Sequence, residues 1–135
     1  MSRKRATVMI VDDNDMMRTL LRGILRAENY EVIAEARHGA SAVEQAQLLK
    51  PRIVCMDVVM PEMDGLESLR EIKSANPAID IVMITGNACG DTVQEAIQNG
   101  ASGFIVKPFN AAKVLDTLER VLAGKAIRST EPPSA

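Results

Sequence analysis

Asp12 and Asp13 close the apolar run Val8-Met9-Ile10-Val11, and Asp57 closes the run from Arg52 to Met56. Thr85 closes the run from Ile79 to Ile84, and Lys107 follows Gly103 to Val106. If these runs lie side by side, three carboxylates, a hydroxyl and an ammonium meet at one edge. Carboxylates gathered in one place repel each other, and a hard divalent cation is the simplest remedy. Mg2+ suits the set, because it accepts a few carboxylates and keeps several waters. A cation there would also attract a phosphate-bearing ligand and neutralise charge on a transferring phosphoryl group. Asp57 needs no general base to attack phosphorus, since an unperturbed aspartate titrates at about 3.9 and is ionised at neutral pH. It is a competent nucleophile of the aspartyl-phosphate kind. Lys107 can pair with that carboxylate before transfer and with a phosphoryl oxygen afterwards, while the Thr85 hydroxyl donates to another oxygen. Positioning and electrostatics are most of what phosphoryl transfer requires.

Taken singly, these residues have plainer uses. Asp12-Asp13 could cap a helix beginning near Asn14, Asp57 could open a turn, and Thr85 could be a strand-end hydroxyl satisfied by backbone. Only their joint placement argues for a site. Asp64-Gly65 reads as a turn leading into a helix after Pro61. His38 stands alone before Gly39 and reads as a loop histidine. Several of the eight methionines lie in or beside apolar runs, where they fill core. Met16-Met17 and Met60 with Met63 are left open.

The elements that must position the site follow from periodicity. Short apolar runs alternate five times with amphipathic stretches. The strands are Val8–Val11, Glu31–Glu35, Arg52–Met56, Ile79–Ile84 and Gly103–Val106. Helical spacing joins Met17, Leu20, Leu21, Ile24 and Leu25 in the first intervening stretch and Val43, Ala46 and Leu49 in the second. Leu66, Leu69 and Ile72 mark a third helix, stopped by Asn76-Pro77. Val93, Ala96 and Ile97 mark a fourth, with Gly100 as its C-terminal cap, and Val114, Leu115, Leu118, Val121 and Leu122 a fifth. Apolar strands alternating with helices imply an α/β fold with a doubly wound parallel sheet of five strands, helices on both faces and right-handed crossovers. Such open sheets bind ligands at the carboxyl ends of their strands, near the point where strand order reverses. The Lys107-Pro108 bond is expected cis, since the turn must aim Lys107 into the site and cis bonds are essentially confined to proline.

At 135 residues the chain fits one domain with a real core. Aromatics are confined to Tyr30, Phe104 and Phe109, so aliphatic side chains must fill that core. A net charge of -2 gives no global reason to bind nucleic acid or an anionic membrane. The cluster Arg3-Lys4-Arg5 reads as a frayed, solvated tail. No apolar run approaches a membrane span and nothing at the start resembles a signal peptide. Cys55 reads as an inert core thiol and Cys89 as a loop residue, so neither a disulfide framework nor a zinc site is expected, and a reducing cytoplasm is the expected location. Three parts are expected: a tail over 1–6, one domain over 7–124 and a loose tail over 125–135, an end or the start of a linker.

The pattern Val11-Asp12-Asp13, Met56-Asp57-Val58-Val59-Met60-Pro61-Glu62-Met63-Asp64-Gly65, Thr85-Gly86 and Lys107-Pro108-Phe109 resembles the receiver domain of bacterial response regulators in two-component systems, and in particular its single-domain, CheY-like members. The resemblance runs from about Thr7 to Ala123. It implies a flavodoxin-like sheet of strand order 2-1-3-4-5. It further implies that Asp57 accepts a phosphoryl group from a histidine kinase or phosphotransfer protein. By the same likeness, Asp13, Asp57 and the backbone carbonyl of Val59 are direct Mg2+ ligands, and Asp12 acts largely through metal-bound water. Thr85 and Lys107 match the phosphate-contacting pair, Phe104 the aromatic whose rotamer follows the switch, and Gly86 the small position that leaves room for the phosphoryl group. Val59 and Asn87 flank the approach to that group, and Pro108 shapes the turn after Lys107.

Two other classes fit less well. Phosphatases or phosphotransferases resembling the haloacid dehalogenase family carry a second aspartate two residues after the nucleophile, where this chain has Val59. A nucleotide or flavin module needs a glycine-rich phosphate loop after a strand, and none is present. The expected function is therefore a phosphorylation-activated signalling switch without independent catalytic output. Its partner face is expected to lie on the fourth helix, fifth strand and fifth helix, in a monomer or a weak phosphorylation-dependent dimer.

Overall fold

The computed structural model describes residues 5–59, 64–86 and 90–124. Strands and helices alternate as β1 (Thr7–Val11), α1 (Asp15–Ala27), β2 (Glu31–Ala36), α2 (Gly39–Leu49), β3 (Ile53–Asp57), α3 (Gly65–Ala75), β4 (Asp80–Thr85), α4 (Gly90–Gln98), β5 (Gly103–Val106) and α5 (Ala111–Leu122). All four strand pairings are parallel, in the order β2-β1-β3-β4-β5. This is the flavodoxin-like arrangement. The order reverses between β1 and β3, so the ends carrying Asp12 and Asp57 are neighbours in the sheet.

Strand alternation divides the core in two. Met9, Val11, Val54, Met56, Ile81 and Met83 face α2, α3 and α4, whereas Val8, Ile10, Ile53, Cys55, Val82 and Ile84 face α1 and α5. Buried on both faces, these strands need continuous apolar sequence, and each fully covered side chain contributes roughly 1.5–3 kcal/mol. Met9, Met56 and Met83 are core fillers, as their place in the strands suggested. Cys55 is fully buried, and burial pushes its thiol up to about 12, so it is inert at neutral pH.

The helices depart in detail from their apolar spacing. In α1, Leu21 and Leu25 are buried but Leu20 is half exposed, because the inward stripe is narrower than the run of apolar residues. In α2 the inward positions are Ala42 and Ala46, and Leu49 in the last turn points largely to solvent. His38 is the N-cap of α2, its Nδ1 accepting from the Ser41 amide at 3.4 Å, a role its position before Gly39 did not announce. Gly100 does end α4: with φ at 102° it lets its own amide reach Ile97 and the Ala101 amide reach Ala96.

Arg5 corrects the reading of a frayed tail. Its Nη1 donates to Glu119 Oε2 at 2.9 Å, its guanidinium lies 5.6 Å from the Tyr30 ring centroid, and its amide donates to the Asn29 carbonyl at 2.8 Å. A cation fixed between an aromatic face and a carboxylate is ordered by both. Arg3 and Lys4, and the tail from 125 onward, lie outside the described residues, as do Met60, Met63 and Cys89.

Gly65 opens α3 against the backbone of β3. A Cβ there would lie 2.2 Å from the Asp57 carbonyl oxygen and 2.8 Å from Val58 Cα, so only glycine allows this approach. Gly23, mid-helix in α1, would meet nothing within 4 Å. Gly65→Ala is therefore expected to lose about 1–3 kcal/mol or more. Gly23→Ala should gain about 0.5–1 kcal/mol. Urea denaturation of the two variants checks this; like midpoints would mean that the β3–α3 junction gives way at little cost.

Candidate functional site

Each chemical residue reaches the carboxyl edge of the sheet by a different local device. Asp57 is the last residue of β3, and its backbone is pressed from behind by Gly65, whose amide donates to the Val58 carbonyl at 2.8 Å. Asp12 follows β1, and its amide continues the sheet by donating to Ala36 at 3.1 Å. Its Oδ1 accepts the Asn14 amide at 2.9 Å, while Asn14 caps α1 through its own side chain, accepting Met17 N at 3.0 Å. The capping role suggested for the aspartate pair is thus taken by Asn14, leaving both aspartates for the site. Lys107 is carried over β4 by its amide, which donates to the Thr85 carbonyl at 2.7 Å, and the Lys107-Pro108 bond is cis as expected.

Carboxylate oxygens of Asp12, Asp13 and Asp57 lie within 4.8 Å of one another, Asp12 and Asp57 buried and Asp13 exposed. The Lys107 ammonium is 3.4 Å from Asp57 Oδ2 and 3.5 Å from Asp12 Oδ2. Asp57 Oδ1 accepts the Val59 amide at 3.2 Å. One ammonium against three carboxylates leaves two negative charges uncompensated, and the exposed Asp13 opens the cluster to solvent. An all-oxygen set of this charge with water access fits a hard divalent cation such as Mg2+.

The remaining expected residues fall around this centre. Thr85 ends β4 and is buried, on the α2–α4 side of the sheet with Met83. Phe104 pairs with Met83 across β4 and β5, so its ring shares that side, half-buried against the same core cluster. Gly86 is exposed, and a Cβ there would meet nothing within 4 Å, which leaves open space next to Thr85. Val59 is 71% exposed and offers its side chain to solvent rather than to the carboxylates. Asn87 lies outside the described residues. Gly65 is the residue whose part was not legible: its pairing with Asp64 signalled a helix start, and Asp64 does cap α3 by accepting Glu67 N at 2.8 Å. The contact with the Asp57 backbone comes from a residue eight positions away and leaves no local signal.

These features coincide with those of known proteins. The family model for the response regulator receiver domain matches residues 8–119. The chain is 43% identical over 113 residues to the chemotaxis protein CheY of Listeria monocytogenes, covering 84% of this chain and 95% of that one. It is 44% identical over 115 residues to CheY of Bacillus subtilis, covering 85% and 96%. Among solved structures, the crystal structure of the CheX–CheY–BeF3–Mg2+ complex from Borrelia burgdorferi superposes with a TM-score of 0.84 at 32% identity, covering 86% of this chain and 88% of that one. The chain belongs to the response regulator receiver domains of two-component signalling, proteins whose general function is that of a phosphorylation switch. Within them it is CheY-like. Among the described residues no helix is long and apolar enough to cross a membrane.

Burial pushes the Asp57 carboxyl above the ordinary carboxylate value, and the negative Asp12 adds to the effect. Lys107 and the Val59 amide act in the opposite direction without reversing it. In metal-free protein, folding therefore favours the neutral acid. The stability this gives is fully present below the unfolded-state pKa of about 3.9 and is lost as pH rises through the higher folded value. With chelator present, Asp57→Asn should raise the thermal midpoint at pH 7, by about 4 °C for each kcal/mol relieved in a domain of this size. The difference should close as pH falls below about 4. Thermal melts across that range test it; equal midpoints at pH 7 would show that the ionised carboxylate is well accommodated without metal.

Proposed function

We propose that the chain is a phosphorylation-activated switch that takes a phosphoryl group on Asp57 from a histidine kinase or phosphotransfer protein and then changes its partner-binding surface. The observation that carries this reading is the Lys107 ammonium shared between Asp57 and Asp12, with Asp13 completing the acidic cluster. Mg2+, held by Asp13, Asp57 and the Val59 backbone carbonyl, with Asp12 acting through its water, would neutralise charge on the transferring group. An Asp57 carboxylate oxygen attacks phosphorus, a new P–O bond forms, and the donor's bond to phosphorus breaks with its electron pair leaving on the donor. Lys107 then exchanges its carboxylate partner for a phosphoryl oxygen, and Thr85 donates to another. Gly86 leaves open space beside Thr85 for the incoming group, and the Lys107 amide is held over β4 by the Thr85 carbonyl. The Borrelia complex, which contains CheX, CheY, BeF3 and Mg2+, supports this reading by likeness.

The receiver unit spans 7–124 in this reading, and its chemistry is confined to its own phosphoryl group, with no separate enzymatic output. The downstream partner is a protein that docks on the α4–β5–α5 face; no direct nucleic-acid contact is assigned. The protein acts in the cytoplasm as a monomer or a weak phosphorylation-dependent dimer.

Intact mass spectrometry after treatment with acetyl phosphate tests the acceptor. Wild type should gain one phosphoryl group only with Mg2+ present, and Asp57→Asn should gain none. Equal labelling of both proteins, or labelling that survives chelator, removes Asp57 from its role.

Thr85 and Phe104 share one side of the sheet, so movement of the Thr85 hydroxyl toward a phosphoryl oxygen vacates space into which the ring can turn. A phosphoryl group shifts such an equilibrium only through different affinity for its two states. Thr85→Ala should still bind beryllofluoride yet show weaker amide NMR shifts over 90–100 and 103–106 than wild type. A full wild-type pattern in the variant would mean that the signal leaves by another route.

A further inference from the structure

Arg18 lies in α1 five residues beyond Asp13, and its side chain is only 12% exposed. Its Nη1 donates to the main-chain carbonyl of Asp12 at 2.7 Å, its Nε to Glu35 Oε1 on β2 at 3.2 Å, and its Nη2 to Asp15 Oδ1. Glu35 also takes Arg22 Nη1 at 2.5 Å. If the pairs served only to fasten α1 to β2, Arg22 and Glu35 would suffice. The bond to the Asp12 carbonyl is different, because it reaches the backbone of a residue in the acidic cluster. We infer that Arg18 is a positioning residue for the cation site, a brace that holds the β1–α1 connection so that Asp12 and Asp13 present their carboxylates toward Asp57. This rests on the Mg2+ reading above and adds to it a residue with no contact with the cation or the phosphoryl group.

The guanidinium is a planar, rigid fork, so fixing two of its arms on Glu35 and Asp15 sets the third. Asp12 is then held three times, by its amide on the Ala36 carbonyl, its carbonyl on Arg18 and Oδ1 on the Asn14 amide, and Oδ2 is left to face Lys107. Removing such an outer support of a metal ligand commonly weakens metal binding about 10–100-fold. The charge of Arg18 has the opposite tendency. A cation near a cation site repels the metal, so deleting the charge alone would tighten binding. The sign of the change therefore separates bracing from plain electrostatics.

The test compares Arg18→Gln, Arg18→Lys and Arg22→Gln with wild type in two measurements on the full chain. Mg2+ titrations followed by amide NMR shifts give the dissociation constant. Hydrogen exchange of the Asn14 amide in chelator reports the connection without metal. Arg18→Gln should raise the Mg2+ dissociation constant about tenfold or more and speed Asn14 exchange. Arg18→Lys, which keeps the charge without the fork, should show most of the same loss, and Arg22→Gln should change neither. Binding unchanged or tighter in Arg18→Gln, or an equal loss in Arg22→Gln, overturns the proposal. If wild type takes up no Mg2+, the cation reading fails, and unchanged Asn14 exchange in Arg18→Gln or Arg18→Lys would then sink the brace as well. Should Arg18→Gln not fold, Arg18→Lys decides alone, with wild-type affinity and exchange counting against the brace.

Discussion

A single ammonium shared by two carboxylates organises this molecule. Lys107 comes from β5, two strands away from β3, and must cross over β4 to stand 3.4 Å from Asp57 and 3.5 Å from Asp12. The hydrogen bond that its amide donates to the Thr85 carbonyl carries it across. The pair of contacts still leaves the cluster short of positive charge, and burial makes the shortfall costly for Asp57. The strand order, the glycine behind Asp57 and the caps at the helix starts all serve to hold like charges where they would not gather unaided.

Most of this was legible because the chemistry sits where periodic signals stop. Four of the five apolar runs end in Asp, Thr or Lys, and a parallel sheet has only one carboxyl edge on which those ends can meet. Asp12, Asp13, Asp57, Thr85 and Lys107 were singled out in that way, without knowledge of any contact. What escaped were contacts between residues distant in sequence whose types are unremarkable alone. Arg5 looked like part of a basic tail, because nothing local reveals that Glu119 and Tyr30 lie beside it. His38 looked like a loop residue, because its nitrogen acts as a cap only when the backbone ahead of it is extended. Helical spacing placed Leu20 and Leu49 inward along with Leu21 and Ala46, whereas the helices turn Leu21, Ala46 and the small Ala42 to the sheet.

The two ends of the sheet are built on opposite principles. At the amino edge, attractive pairs predominate: Arg52 meets Asp80, Ser102 Oγ donates to Asp80 Oδ1 at 2.6 Å, and Lys73 Nζ donates to the carbonyls of Pro77 and Ile79 at 2.7 and 3.0 Å. At the carboxyl edge, like charges are compressed. The acidic cluster is thus a cost to the fold carried at the end with the chemistry, in keeping with the general tension between a well-formed site and a stable fold.

The sheet also separates two cores that share no side chains. Asp57 follows Cys55 on the side of α1 and α5, whereas Thr85 and Phe104 belong to the side of α2, α3 and α4. Substitutions that are far apart and share no partners tend to act independently. Packing around Phe104 can therefore diverge between descendants while the Lys107, Asp12 and Asp57 contacts stay as they are. Thr85 is where that freedom ends, because it belongs to the Phe104 side but closes the strand that pairs with the one carrying Asp57.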